Sequence, residues 1–495
     1  MKNLLLFLPV FFLAVKLNAQ KPVGSSRSPE SLGISSQAIL DFIEAAEKER
    51  PDELHSFRLL RHGQVAAQGW WAPYNKDEPH MLFSLSKSFT STAIGIAQAE
   101  GLLNINDRVV SFFSEQAPAE PSPNLYAMRI RDLLSMNTGH NDDATDRMRK
   151  DTISWVKKFL SLPVEHKPGT HFVYNSAATY MLSAIIQQKT GQTVLAYLTP
   201  RLFDPLGIPH PTWEKSPEGI NVGGWGLMIR TEDIANLGQL YLQKGKWKGK
   251  QLIPASWVEE ATKKQTSNGS NPDSDWEQGY GYQFWRTRHD LYRGDGAFGQ
   301  FCIVFPKQDA VLAITSGTAS MGAIMNLVWK YLLPAISEKP LTENSRAFKA
   351  LNDKLKSLKL SVLKDLASPA DISLISANRY VLDPNDEGIT AISFDLKTTD
   401  PSITIEINGR SSVIPFGNGE LKKSVYPWPA GEDTPVAASG GWTSTDTLKV
   451  RTYLYQTPYA FTYTIGFKGE EATIIRTSNV NMGPATRLEL HGRKK

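Results

Sequence analysis

Three short runs place a lysine three residues after a serine: Ser84 with Lys87, Ser154 with Lys157, and Ser361 with Lys364. Residues three apart share one face of a helix, so in each run the amine could reach the hydroxyl. A serine hydroxyl is a poor nucleophile until a base takes its proton, and a lysine in a desolvated pocket can lose enough basicity to be that base. Context separates the three. Ser84 opens SLSKSFTSTAIGIAQAEGLL, a small and apolar stretch that reads as a buried helix ending at Gly101, whereas the other two runs are polar and surface-like. At the head of a helix Ser84 also gains the free N–H groups and the positive end of the dipole, so its own amide is a candidate oxyanion donor.

The elements that must position this pair are of mixed type. Ser36 to Arg50 and Ser84 to Leu103 read as helices, and Phe57 to Ala66 and Gln300 to Phe305 as strands, which predicts an α+β domain over residues 20–335. A helical connector is expected over 336–370, with the polar stretch Thr342 to Leu366 as its helix. Beyond Asp371 the period becomes two: Ile403, Ile405 and Ile407 alternate, Asn408-Gly409 is a hairpin signal, and Leu448, Val450, Thr452 and Leu454 are interleaved with Lys449 and Arg451. Residues 371–495 are therefore expected to form an antiparallel β domain.

The 495 residues are 41% hydrophobic and 21% charged, a globular composition that excludes disorder, collagen and coiled coil. The net charge of +4, from 54 basic and 50 acidic residues, is too mixed for a nucleic-acid binder. Lys2 followed by the apolar run Leu4 to Val15 reads as a signal peptide over residues 1–19, too short to span a bilayer, and no later stretch is long and apolar enough to do so. The single cysteine, Cys302, can form no internal disulfide and cannot serve as a lipid anchor, which suits an exported, periplasmic protein that is not a lipoprotein. No G-x-S-x-G elbow, H-E-x-x-H helix or G-x-x-x-x-G-K-[ST] loop occurs. The nine histidines show no paired ligand spacing, so no metal and no cofactor are expected, and His140 reads as structural. Lys244 to Lys250 reads as a solvated loop, and Trp70 and Trp71 as core or cleft aromatics.

The segment LFSLSKSFTSTAIGIAQAEGLLNINDRVVSFF resembles the serine β-lactamase and D,D-peptidase superfamily, in the branch of class C β-lactamases and family VIII carboxylesterases. Similar blocks follow in order: IRDLLSMNTGH, PGTHFVYNSAATYMLSAII, GGWGLMIRTEDIANLGQLYLQKGKWKGKQLIP and GAFGQFCIVFPKQDAVLAI. The resemblance covers nearly all of residues 30–335 and none of the β domain. It implies a β-lactamase/transpeptidase-like fold, with a five-stranded antiparallel sheet flanked by helices and a site between sheet and helical region.

The resemblance also implies site residues. Ser84, Lys87 and Tyr174 are the catalytic set, with Tyr174 a phenol that would serve as a base only if Lys87 stabilised its phenolate. Ser176 stands where the family's Tyr-x-Asn triplet has Asn. Ser84 and Ala297 are the expected backbone donors of the oxyanion hole, and Ser176, Trp225, Gly294 and Gly296 are substrate-binding candidates. The third motif departs from the pattern, because the position of the family's Lys or His falls on Gly294 or near Leu291, with Arg293 as a substitute cation. A small-molecule ester or amide of low charge is therefore the expected substrate, ahead of penicillins or peptidoglycan peptides, with a non-catalytic binding protein as the alternative outside enzymes.

Overall fold

The structure is a computed structural model that describes residues 28–369, 371–427, 433–483 and 487–495, so the expected signal peptide lies outside it. Helix α1 (Ser36–Glu49) starts where the Ser35 hydroxyl accepts from the Ala38 N–H, and it buries Ile39, Phe42, Ile43 and Ala46. The strand expected over Phe57 to Ala66 is instead a hairpin. His62 and Gly63 both take positive φ, 52° and 68°, and split it into β1 (Leu54–Arg61) and β2 (Gln64–Trp70).

With β3 (Trp285–Thr287), β4 (Leu291–Gly296), β5 (Gln300–Phe305) and β6 (Ala310–Ser316) these form one antiparallel sheet in the order β2-β1-β6-β5-β4-β3. It has six strands where the resemblance implied five, the addition being the three-residue edge strand β3. The two faces of β5 show why both sides must be covered. Phe301, Ile303 and Phe305 join the core under α1, while Cys302 and Val304 join the core on the other side.

That second core holds α2 (Ser86–Ala99), α3 (Ser176–Thr190) and α4 (Thr231–Leu242). Gly238 lets α4 lie directly on the sheet, since a Cβ there would strike Val311 and the Cys302 sulfur. Burial pushes the Cys302 thiol up to about 12, so it behaves as an apolar side chain.

The connector is less helical than expected. Helix α5 (Ser345–Lys356) is capped by the Asn344 side chain and packs on α1, but after a turn at Ser357 the chain leaves the helix. Leu358 and Leu360 are buried on either side of exposed Lys359, and Leu360 N–H donates to Ala72 O at 2.9 Å. That two-residue period ends the helix.

The C-terminal region is a ten-stranded antiparallel sheet among the described residues. The hairpin of β7 (Ser402–Ile407) and β8 (Arg410–Pro415) turns at Asn408 and Gly409, with φ 49° and 80°. Its edge strands, β8 and β9 (Lys422–Pro427), lie beside one another and close a near-barrel. The interior takes Leu448 and Val450 from β10 (Thr447–Tyr453) and Phe461, Tyr463 and Ile465 from β11 (Ala460–Lys468).

Candidate active site

Ser84 stands between a short strand and α2. Met81 pairs with Met228, Leu82 N–H donates to Leu227 O, and a single 3-10 turn, Phe83–Leu85, leads into α2. Phe83 holds φ at 48°, which a bulky side chain adopts only under constraint. Part of that constraint is Ser86, whose hydroxyl donates to Phe83 O at 2.7 Å and accepts from Leu227 N–H at 3.2 Å. The result is a half-exposed Ser84 at the head of a buried helix.

Lys87 lies one turn further in, 1% exposed. Its Nζ is 3.2 Å from Ser84 Oγ, 2.9 Å from Ser176 Oγ and 2.8 Å from Gly224 O. Burial lowers its pKa to about 7, and the carboxylates of Asp143 and Asp295 only partly oppose that. A neutral amine has two N–H groups, which Ser176 and Gly224 can accept, leaving its lone pair for the Ser84 hydroxyl.

Tyr174 reaches the same point from an extended segment. Val173 N–H donates to Met136 O, and Asn175 caps α3 by accepting from Ala177 N–H. The Tyr174 ring stacks on Trp285 at 5.2 Å, and Lys87 Nζ sits over its face, 4.9 Å from the centroid. Burial raises the phenol's pKa well above 10, as does Asp295, while the neighbouring Ser84 hydroxyl works the other way. The phenol therefore keeps its proton near neutral pH.

The β4–β5 turn supplies the opposite wall. A Cβ on Gly296 would collide with Leu82 O, so only glycine lets the end of β4 rest against the Ser84 turn. Beyond it, Gln300 Nε2 donates to Ala297 O at 3.0 Å, and the Ser316 hydroxyl donates to Phe298 O at 2.7 Å. The Ala297 N–H has no hydrogen-bond partner among the described residues. Gly294-Asp-Gly-Ala-Phe-Gly299 has the spacing of a dinucleotide-binding glycine loop, yet it joins two antiparallel strands and opens no helix.

The cation expected near the third motif is absent for a steric reason. A Cβ on Gly294 would meet Leu85 and, at 2.6 Å, Ser88 Oγ, so Gly294 packs against α2 and not toward the cleft. Leu291 is in the core, and Arg293 is fully buried. The Arg293 guanidinium bonds Asp295 and Asp275 O, packed over the Trp276 and Trp285 rings. Ser176 and Gly296 thus lie beside Lys87 and Ser84. Trp225 is half-buried against Trp155, with Arg149 over its ring, at the helical side of the cleft.

Three participants are absent from the sequence-based set. Gly224 O is hinted at by the GGWG run, but Asp143 and Asp295 carry no local signal, since only the fold brings them to the lysine. The competing serine–lysine pairs are accounted for elsewhere: Ser154 caps a helix through Lys157 N–H and donates to Glu218, and Ser361 is exposed beyond α5. His140 is buried with its Nδ1 on Thr138 Oγ1, and Lys244 to Lys250 forms a hairpin whose lysines are exposed while Trp247 is buried in the core. Trp71 is buried with its Nε1 donating to Glu47, and Trp70 lies half-buried in β2. Among the described residues no His/Cys/Asp/Glu group is arranged to hold a metal, and no helix is long and apolar enough to cross a membrane.

The family described as Beta-lactamase matches residues 55–329, more than half of the chain and the whole of the site just described. The chain belongs to the β-lactamase family. Within it, the chain is similar to the 6-aminohexanoate-dimer hydrolase of Paenarthrobacter ureafaciens, 25% identical over 283 residues, 52% of this chain and 71% of that one. Among solved structures it resembles EstCE1, a hydrolase with promiscuous acyltransferase activity, with TM-score 0.51, 15% identity, and coverage of 61% of this chain and 99% of that one. It also resembles SurE, with TM-score 0.51 and 16% identity over 83% of this chain and 95% of that one. At such identities the structures speak for the fold alone. The β-lactamase family match ends before the connector, so the near-barrel is an addition to the family unit.

Proposed function

We infer that the protein is a serine hydrolase that opens ester or amide bonds through an acyl-enzyme on Ser84. The observation that carries this reading is Lys87, an enclosed amine with a pKa near 7 that bonds Ser84, Ser176 and Gly224. Its lone pair takes the Ser84 proton as Oγ bonds to the carbonyl carbon, and the carbonyl oxygen becomes an anion received by the Ser84 and Ala297 N–H groups. Tyr174 passes its proton to the departing alcohol or amine and recovers one from Lys87. Water then repeats the sequence in reverse and frees the acid. Family membership and the hydrolase name of its 25% identical relative support the reaction class.

A substrate of low charge fits this cleft. Arg293 is committed to Asp295, Gly294 cannot carry a cation, and two carboxylates lie near Lys87. A substrate carboxylate would lose hydration there without a partner. The N-terminal apolar run supports export to the periplasm. The test is intact-protein mass spectrometry after a fluorophosphonate, then turnover of p-nitrophenyl esters. One adduct per chain, mapped to Ser84 and lost in Ser84→Ala, is expected. Labelling that survives Ser84→Ala would overturn the reading.

A further inference from the structure

The near-barrel reaches the active site through one loop. Residues 454–459 join β10 to β11 and brace themselves: Thr457 Oγ1 donates to Leu454 O at 2.9 Å and accepts from Tyr459 N–H at 3.1 Å. The loop is docked along the strand that leads to Ser84. Met81 N–H donates to Gln456 O at 2.8 Å, the Tyr74 hydroxyl to Thr457 O at 2.9 Å, and Gln456 Nε2 to Glu78 at 2.5 Å. On the far side Asn479 Nδ2 bridges Gly317 O and Pro458 O, at 3.1 and 2.9 Å, and Gly317 has no room for a Cβ beneath Pro458 O.

This docking delivers the Tyr459 ring to two phenylalanines, 6.3 Å from Phe83 and 5.7 Å from Phe298, which meet each other edge-on at 5.2 Å. Phe83 immediately precedes Ser84, and Phe298 immediately follows Ala297. Both hold left-handed φ, 48° and 64°. Such a conformation costs free energy in a bulky residue and persists only where the surroundings impose it. The catalytic domain fixes the carbonyl side of each, through Ser86 on Phe83 O and Ser316 on Phe298 O. The ring side of each is fixed by the near-barrel, to whose core both rings belong at its margin.

We propose that the C-terminal domain completes the active site, with Tyr459 a positioning residue that holds Phe83 and Phe298 and thereby the Ser84 and Ala297 N–H groups that receive the substrate's carbonyl oxygen. This rests on the acyl-enzyme reading above and adds a partner from outside the family unit. It also accounts for a docking loop far more closely bonded than a tether between independent domains requires.

The experiment uses the full chain with Tyr459→Leu, Tyr459→Ala and Tyr459→Phe. Wild-type fluorophosphonate labelling at Ser84 tests the underlying reading separately. With that in hand, Tyr459→Leu and Tyr459→Ala lower kcat on p-nitrophenyl acetate by about tenfold to a hundredfold, the scale of a small misplacement of reacting groups. KM changes little, and the inhibition constant of phenylboronic acid, whose adduct places an oxygen in the anion site, rises by the same factor. Tyr459→Phe, which keeps the ring, recovers most of the loss. The pH midpoint set by Lys87 stays in place, and Tyr459→Leu serves should the alanine variant fail to fold. An unchanged kcat, a loss confined to KM, or a lowered kcat with unaltered boronate inhibition would each overturn the proposal.

Discussion

At the scale of single residues the chemistry depends on which of two groups holds the proton. Burial brings Lys87 to about 7 and carries Tyr174 upward, so in the proposed mechanism the amine is the resting base and the phenol the resting acid. Because the neutral amine is the active form, kcat/KM for ester acylation should rise with pH through a midpoint near 7 and then level off. Lys87→Met should lower acylation by about two orders of magnitude or more and abolish that midpoint, and Tyr174→Phe should lower it on a similar scale. The double variant should lose little more than either single one, because residues of one relay are lost together. Stopped-flow acylation across pH checks all three; a flat profile from pH 5 to 9 in the wild type would remove Lys87 as the base. Substrate choice is also decided by single residues. The ratio of kcat/KM for p-nitrophenyl butyrate to that for benzylpenicillin should strongly favour the ester, and a ratio favouring penicillin would mean that another residue pairs its carboxylate.

At the scale of elements the decisive contact is the end of β4 against the Ser84 turn. Gly296→Ala sets a methyl group against the backbone of Leu82, and a backbone neighbour cannot step aside as a flexible side chain can. The expected result is a lower melting temperature and loss of most acylation, with circular dichroism still folded. Near-normal turnover would mean that β4 can retreat without disturbing the site. This contact also marks the limit of what the sequence made legible. Ser84, Lys87 and Tyr174 were recognisable because S-x-x-K and the PGTHFVYNS block are local patterns. The strand expected over Gln300 to Phe305 is β5, and the period-two run around Asn408-Gly409 likewise announced the β7–β8 hairpin. The hairpin within Phe57 to Ala66 was missed because the burial of both faces of β1 erased its alternation, leaving His62-Gly63 as the only sign. The connector helix was overextended because the Lys, Asn and Ser content of Thr342 to Leu366 as a whole reads as a polar helix, although Leu358 and Leu360 already had the spacing of a strand. Asp143 and Asp295 carry no local signal because their nearness to Lys87 comes from approach in space, across separate segments.

At the scale of the whole molecule the two domains share a buried polar seam as well as the Tyr459 contact. His80 Nδ1 is bonded to Met81 O, which makes that nitrogen the N–H donor and leaves Nε2 to accept from His55 Nδ1 at 3.1 Å. The His55 ring stacks at 3.8 Å on Tyr74, whose hydroxyl reaches the near-barrel at Thr457. Neither imidazole can take a second proton without turning an acceptor into a donor that faces another donor or leaving a charge buried. Burial accordingly lowers His80 to about 4 and holds His55 well below its ordinary value, with His80 adding to the shift of His55. In the unfolded chain both protonate near 6.5, so below that pH the unfolded state binds protons that the native state refuses. The seam's contribution is therefore complete above about pH 6.5 and is lost progressively as the pH falls toward 4, by about 3 kcal/mol for His80 alone. Urea unfolding of the full chain should show its midpoint falling between pH 7 and pH 5, where most carboxylates are still ionised. His80→Gln should lower stability at pH 7 but flatten that slope. If the slope is the same in wild type and variant, the seam does not set the acid sensitivity, and the loss of stability must come from groups elsewhere, among them His140, which burial also lowers to about 4.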